Sequence, residues 1–264
     1  MAKLVDGSLV LPVYLICDTS SSMNRTVDGS KNGIRRIDIL NEAITDLFVA
    51  IYKGSRTTVR VNVSVISFNS APCLNFPLQD ITPGVSMRPL QAGGLTELGK
   101  ALKFFDERLT IDEAKRGHRR GYRPVAFVIS DGQPTDNIVQ WKEACARLAS
   151  RSRPSLPPRI VPCMIADPCD DLVKSITAFY GRDLTSISES VLLNGSDVAK
   201  SIHSVFNLIA QTLNYSYSVD DTKVAEKDSF ESQIRQMDAI FVQALEAPSN
   251  QVEDNFDSFF QEIL

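Results

Sequence analysis

An α/β fold built on a doubly wound, mostly parallel sheet is predicted by three observations. Apolar runs suited to buried strands alternate with helix-spaced segments along the chain. Two of the apolar runs, residues 11–17 and 124–130, are nearly continuous, as in strands covered on both faces. Each of these two ends in a carboxylate, Asp18 or Asp131, where the chain would leave the sheet. About six strands are expected, one of them antiparallel at an edge, with helices on both faces.

The elements follow in order. After the first strand, Ile37, Leu40, Ile44, Leu47, Phe48 and Ile51 mark one face of a helix over residues 35–52. Residues 59–68 place Val59, Val61, Val63 and Val65 in alternation with polar partners, a strand that starts at an edge or half-buried position. Residues 98–109 read as a helix, and 124–130 as a fully buried strand. A helix over 139–151 centres on Trp141, Ala144, Cys145 and Leu148, and 159–166 forms another apolar strand. Helices over 172–179 and 197–213 complete the domain, taken as residues 1–218.

The remaining segment, 219–264, is an acidic tail. It holds eleven Asp or Glu against three Lys or Arg, a net −8 that leaves +4 for the preceding residues of a chain of net charge −4. Phe230, Ile234, Met237, Phe241 and Leu245 have helix-face spacing, and Phe256, Phe259, Phe260 and Ile263 form a second short stripe. The tail is expected to be helical or partly disordered. It would recruit a partner or dock on its own domain, with Glu253 or Asp254 reaching the site described next.

The chemistry lies in the loops after the strands. Asp18, Ser20 and Ser22 form a D-x-S-x-S pattern at the exit of the first strand. Gly93-Gly94-Leu95-Thr96 adds a tight turn and a further hydroxyl before a helix. Ser130-Asp131-Gly132 adds a second carboxylate at another strand exit. Ligand sites in open parallel sheets lie beyond the carboxyl ends of the strands, where strand order reverses, so these loops would converge. Carboxylate and hydroxyl oxygens are hard donors that suit Mg²⁺, with Mn²⁺ or Ca²⁺ as alternatives. The competing explanation is local: an Asp followed by Ser at a strand end also caps helices and stabilises turns.

With Asp18, Ser20, Ser22, Thr96 and Asp131 in that order, the chain resembles the von Willebrand factor A domain family and its metal-ion-dependent adhesion site. The resemblance covers roughly residues 8–215. The wording L-P-V-Y-L-I-C-D-T-S-S-S-M and S-D-G-Q-P-T-D is similar to bacterial TerY-like proteins of tellurite-resistance and stress-response clusters. It implies a cation held by Asp18, Ser20, Ser22, Thr96 and Asp131, its shell completed by an Asp or Glu of a partner protein. The resemblance also implies an adaptor role in a stress or defence pathway beside a protein phosphatase and a kinase. Alternatives are a substrate adaptor for an AAA-type ATPase or, in a different class, a metal-dependent phosphohydrolase.

Catalysis is disfavoured by the residues themselves. A haloacid-dehalogenase phosphatase needs a carboxylate two positions after its first aspartate, and Ser20 stands there. G-x-x-x-x-G-K-[ST], G-x-S-x-G and G-x-G-x-x-G are absent from the sequence. The two histidines, His118 and His203, fall in a basic loop and a late helix, away from the strand exits. No catalytic or organic-cofactor residue is therefore assigned.

The net charge of −4 gives no reason to expect nucleic acid or a membrane as partner, and no apolar run approaches membrane-spanning length. Five cysteines (Cys17, Cys73, Cys145, Cys163 and Cys169), with no C-x-x-C, argue against a disulfide framework or zinc site. They fit a reducing cytoplasm. The basic run 115–123 precedes the strand ending at Asp131, so it would sit at the opposite end of the sheet. Residues 24–33 lengthen the loop after the D-x-S-x-S motif.

Overall fold

The computed structural model describes residues 9–27, 33–54, 59–116, 122–131, 134–151 and 157–165, together with positions 202, 203, 206, 209 and 210. Five strands, β1 (Leu9–Asp18), β2 (Val59–Phe68), β3 (Pro72–Asp80), β4 (Val125–Ser130) and β5 (Arg159–Met164), form one sheet in the order β3-β2-β1-β4-β5. All pairs are parallel except the β2–β3 hairpin. Three helices have defined ends, α1 (Arg36–Gly54), α2 (Leu98–Arg116) and α3 (Ile138–Ala149), and positions 202, 203, 206, 209 and 210 are also helical.

Alternation along the strands divides the core in two. Leu11, Val13, Leu15 and Cys17 of β1 face α1, whose Ile37, Leu40, Ile44, Leu47, Phe48 and Ile51 are all buried. Ile202, Phe206 and Ile209 join this layer. Tyr14 and Ile16 point the other way, against Leu98, Leu102, Phe105 and Leu109 of α2 and Trp141, Cys145 and Leu148 of α3. Helices thus cover both faces, as a doubly wound fold requires. The central strands are buried on both sides, which is why β4 carries no polar residue before Ser130.

The antiparallel edge strand expected from the sequence is β3. It contains Pro72 and Pro77, tolerated because an edge strand can leave a ladder position without an N–H donor. β2 begins with half-buried Arg60 and Asn62 and is fully buried from Val63 onward. The described strands number five against the expected six or so. The helix expected over 172–179, the acidic tail 219–264 with Glu253 and Asp254, and His118 lie outside the described residues. Tyr122, which ends the basic run, donates from its backbone N to the Val10 carbonyl at 2.8 Å, at the start of β1 and away from Asp18.

Strand order reverses between β1 and β4: the chain runs outward to β2 and β3 on one side, then returns to β4 on the other. The crevice at their carboxyl ends is flanked by Asp18, the last residue of β1, and Asp131, just beyond β4.

Candidate metal centre

Register brings the two strand exits into contact. Cys17 is paired with Ile129, so Asp18 lies opposite Ser130. The Ser130 hydroxyl donates to Asp18 Oδ2 at 2.6 Å, and the Ser20 amide donates to Asp18 Oδ1 at 2.7 Å. Asp18 is fully buried. Burial pushes its carboxyl up to about 6, although the hydrogen bonds from Ser130 and Ser20 oppose the shift; the neighbouring Asp131 adds to it.

Ser20 opens a short 3-10 turn, Ser21–Asn24, but its side chain does not cap that turn. Its hydroxyl lies 2.8 Å from that of Ser22, which donates to Asp131 Oδ1 at 2.6 Å. The Ser20 hydroxyl also bonds the Asp18 carboxylate, so the two serines link Asp18 to Asp131 through a chain of hydroxyl and carboxylate oxygens. Turn stabilisation therefore accounts for the Asp18–Ser20 amide bond, but helix capping does not account for the serine hydroxyls.

Thr96 sits on an adjoining loop and is nearly buried. Backbone bonds join that loop to the D-x-S-x-S segment: Gly93 N to Thr19 O at 2.8 Å and Ser21 N to Gly94 O at 3.0 Å. Gly94 has φ +84°, so the turn needs glycine for its conformation, and a Cβ there would also press on the Ser70 hydroxyl at 2.7 Å. Thr96 and Thr135 hold each other through Thr96 N to Thr135 Oγ1 at 3.1 Å and Thr135 N to Thr96 O at 2.8 Å. Asp136 then accepts from the Gly99 amide in the first turn of α2.

Four of the five residues singled out from the sequence, Asp18, Ser20, Ser22 and Asp131, thus belong to one hydrogen-bonded cluster, and Thr96 stands on the loop tied to it. Three participants were missed. Ser130 was legible only as part of the S-D-G wording, and Thr135 only as a turn residue. Arg36, the first residue of α1, places Nη1 2.7 Å from Asp131 Oδ2, a pairing across 95 positions that no local pattern announces.

The donor set fits a hard divalent cation. Both oxygens of the buried Asp18 accept from neutral donors, which leaves its charge without the compensation burial normally demands. Among the described residues no group of three or more His, Cys, Asp or Glu gathers to hold a metal ion, so a cation here would depend on hydroxyl oxygens as well. The site instead offers two carboxylates amid hydroxyls.

The profile of the von Willebrand factor type A domain matches residues 13–153, a stretch that contains all five of these positions. The chain belongs to the von Willebrand factor type A domain family. Domains of this family generally serve in protein interaction or adhesion and often bind a divalent cation. Among curated relatives, vitrin from Mus musculus is 30% identical over 133 residues, 48% of this chain and 19% of vitrin. Vitrin from Bos taurus is 29% identical over the same shares. The chain therefore spans about a fifth of the length of the relatives it matches.

The fold is shared with solved structures at much lower identity. The PilB minor pilin of Streptococcus sanguinis superposes with a TM-score of 0.53 at 13% identity, covering 80% of this chain and 62% of the pilin. The pilus adhesin SpaC of Lactobacillus rhamnosus GG gives 0.51 at 12% identity, covering 81% and 31%.

Proposed function

We propose that this chain is a metal-dependent protein-interaction module that recognises an exposed Asp or Glu of a partner protein. The observation that carries the reading is the Ser20–Ser22–Asp131 chain of oxygens beside a buried Asp18 whose hydrogen-bond donors, Ser130 and Ser20, are all neutral. Asp18, Ser20, Ser22, Thr96 and Asp131 would hold the cation, Mg²⁺ in the first instance. When bound, it supplies an open coordination position for a partner carboxylate.

A binding role rather than turnover is the reading the site supports. Its serine hydroxyls are engaged with each other and with carboxylates, and His203 is exposed on the helical segment after residue 200. Four cysteines among the described residues are unpaired, which supports a reducing compartment such as the cytoplasm. No helix among the described residues is long and apolar enough to cross a membrane. The narrower assignment, an adaptor beside a phosphatase and a kinase in a bacterial stress or defence pathway, rests on the TerY-like wording around Asp18 and Asp131.

Calorimetric titration of Mg²⁺, Mn²⁺ and Ca²⁺ into chelator-stripped protein tests the site. Saturable binding that disappears in a folded Asp18→Ala variant is expected. Absence of binding to the wild type by all three ions would overturn the reading. Turnover of a generic phosphoester that vanishes in Ser20→Ala would replace it with the phosphohydrolase.

A further inference from the structure

Asp131 is held from two sides. Ser22 occupies Oδ1 on the side of the serine hydroxyls, while Arg36 occupies Oδ2 from the start of α1. The pair is sequestered, with the Arg36 side chain 14% exposed and that of Asp131 fully buried. Arg36 is also fixed from behind. Its amide donates to the Arg25 carbonyl at 3.1 Å, and the adjacent Arg35 bridges to Thr26 and pairs with Asp38. Yet the contact with Asp131 is made through one nitrogen, and Arg36 Nε is buried without a hydrogen-bond partner among the described residues. Arg36 thus brings a full positive charge into direct contact with Asp131, one of the two carboxylates of the centre, while the donors that reach Asp18 are all neutral.

We infer that Arg36 sets the electrical balance of the centre, lowering its affinity for the cation and raising that of the loaded site for an acidic partner. The inference rests on the metal-dependent reading proposed above. Asp18 and Asp131, ionised, contribute −2, and Arg36 returns the cluster to −1. A divalent cation then leaves it at +1. Without Arg36 the loaded site would be neutral and would hold its cation more tightly, but it would attract a carboxylate less. In a buried site such a unit of charge is weakly screened, so the effect is large.

The test uses the full chain at pH 8, in wild type, Arg36→Gln and Arg36→Lys. Mg²⁺ is titrated calorimetrically, and glutarate is titrated into the Mg²⁺-saturated protein by NMR shift. Arg36→Gln should bind Mg²⁺ about tenfold tighter or more, and glutarate about tenfold weaker. Arg36→Lys keeps the charge at a contact that needs only one donor, and should stay within about threefold of wild type in both. Damage to the scaffold would weaken both ligands together, so the opposed signs are the signature.

A wild type that binds Mg²⁺ and an Arg36→Gln variant that binds it no better would overturn the inference and leave the proposed function standing. Binding that emerges only in Arg36→Gln would overturn the proposed function for the wild type, and the inference with it. No binding by either protein would overturn both. Should Arg36→Gln fail to fold, Arg36→Lys decides: near-wild-type affinities support a charge role, whereas a loss of Mg²⁺ affinity of about tenfold would overturn it.

Discussion

Two buried carboxylate clusters lie on this sheet, and they are built differently. Asp112 of α2 accepts from Arg108 Nη2 at 2.9 Å and from the Tyr14 hydroxyl at 3.2 Å, between the helix and the middle of β1. Tyr14 also packs edge-on against Phe105, with ring centroids 5.0 Å apart. There an arginine and a phenol close the carboxylate off, and burial together with Asp112 raises the Tyr14 hydroxyl well above its ordinary range. At the strand exits, Asp18 and Asp131 share serine hydroxyls, and arginine reaches only one of them. A carboxylate closed off by fixed donors locks a helix to its sheet. One surrounded by hydroxyls with spare lone pairs keeps room for a cation.

The comparison breaks first at Asp18. Asp18→Ala should lower Mg²⁺ affinity by about a hundredfold or more, since loss of a mere outer-sphere partner already costs up to that much. Its circular dichroism should remain that of the wild type, and an unfolded variant would erase the distinction between the two clusters. The mirror-image change, Asp112→Ala, should cost about 2 kcal/mol in urea unfolding, because it leaves the largely covered Arg108 without this partner, while Mg²⁺ affinity holds.

A smaller effect comes from pH. The Asp18 carboxyl sits near 6 in the metal-free fold against about 3.9 in the unfolded chain, so the folded state favours its protonated form. Its stabilising contribution is complete below pH 4 and disappears as pH rises through 6. Thermal melts of chelated protein should show this decline between pH 4 and 6, and Asp18→Asn should flatten it. Saturating Mg²⁺ should reverse the loss above pH 6. Least of all, Tyr14→Phe should cost about 1 kcal/mol of unfolding free energy, the net worth of one buried hydrogen bond, with no change in metal affinity.

Much of this molecule is written in local patterns. The apolar runs before Asp18 and Asp131, and the helix-face spacing from Ile37 to Ile51, identify strands and a helix because burial leaves its period in the sequence. Asp18, Ser20, Ser22 and Asp131 were legible because they follow the ends of apolar strands, and Thr96 because it follows a glycine pair just before a helix. β3 could be expected but not located, since Pro72 and Pro77 interrupt its pattern and only an edge position, known once the sheet is assembled, makes them acceptable.

By itself, then, the sequence determined the layered fold, the end of the sheet that carries the chemistry, and the hard-oxygen character of the donors. Tertiary structure alone decided that β1 and β4 lie side by side, which sets Ser130 against Asp18 across 112 positions. It also decided that Arg36 meets Asp131 and that Thr135 secures Thr96. The physical reason is that strand and helix periods record which face of an element is buried. Pairing between distant segments depends instead on register and crossover, which leave no local trace.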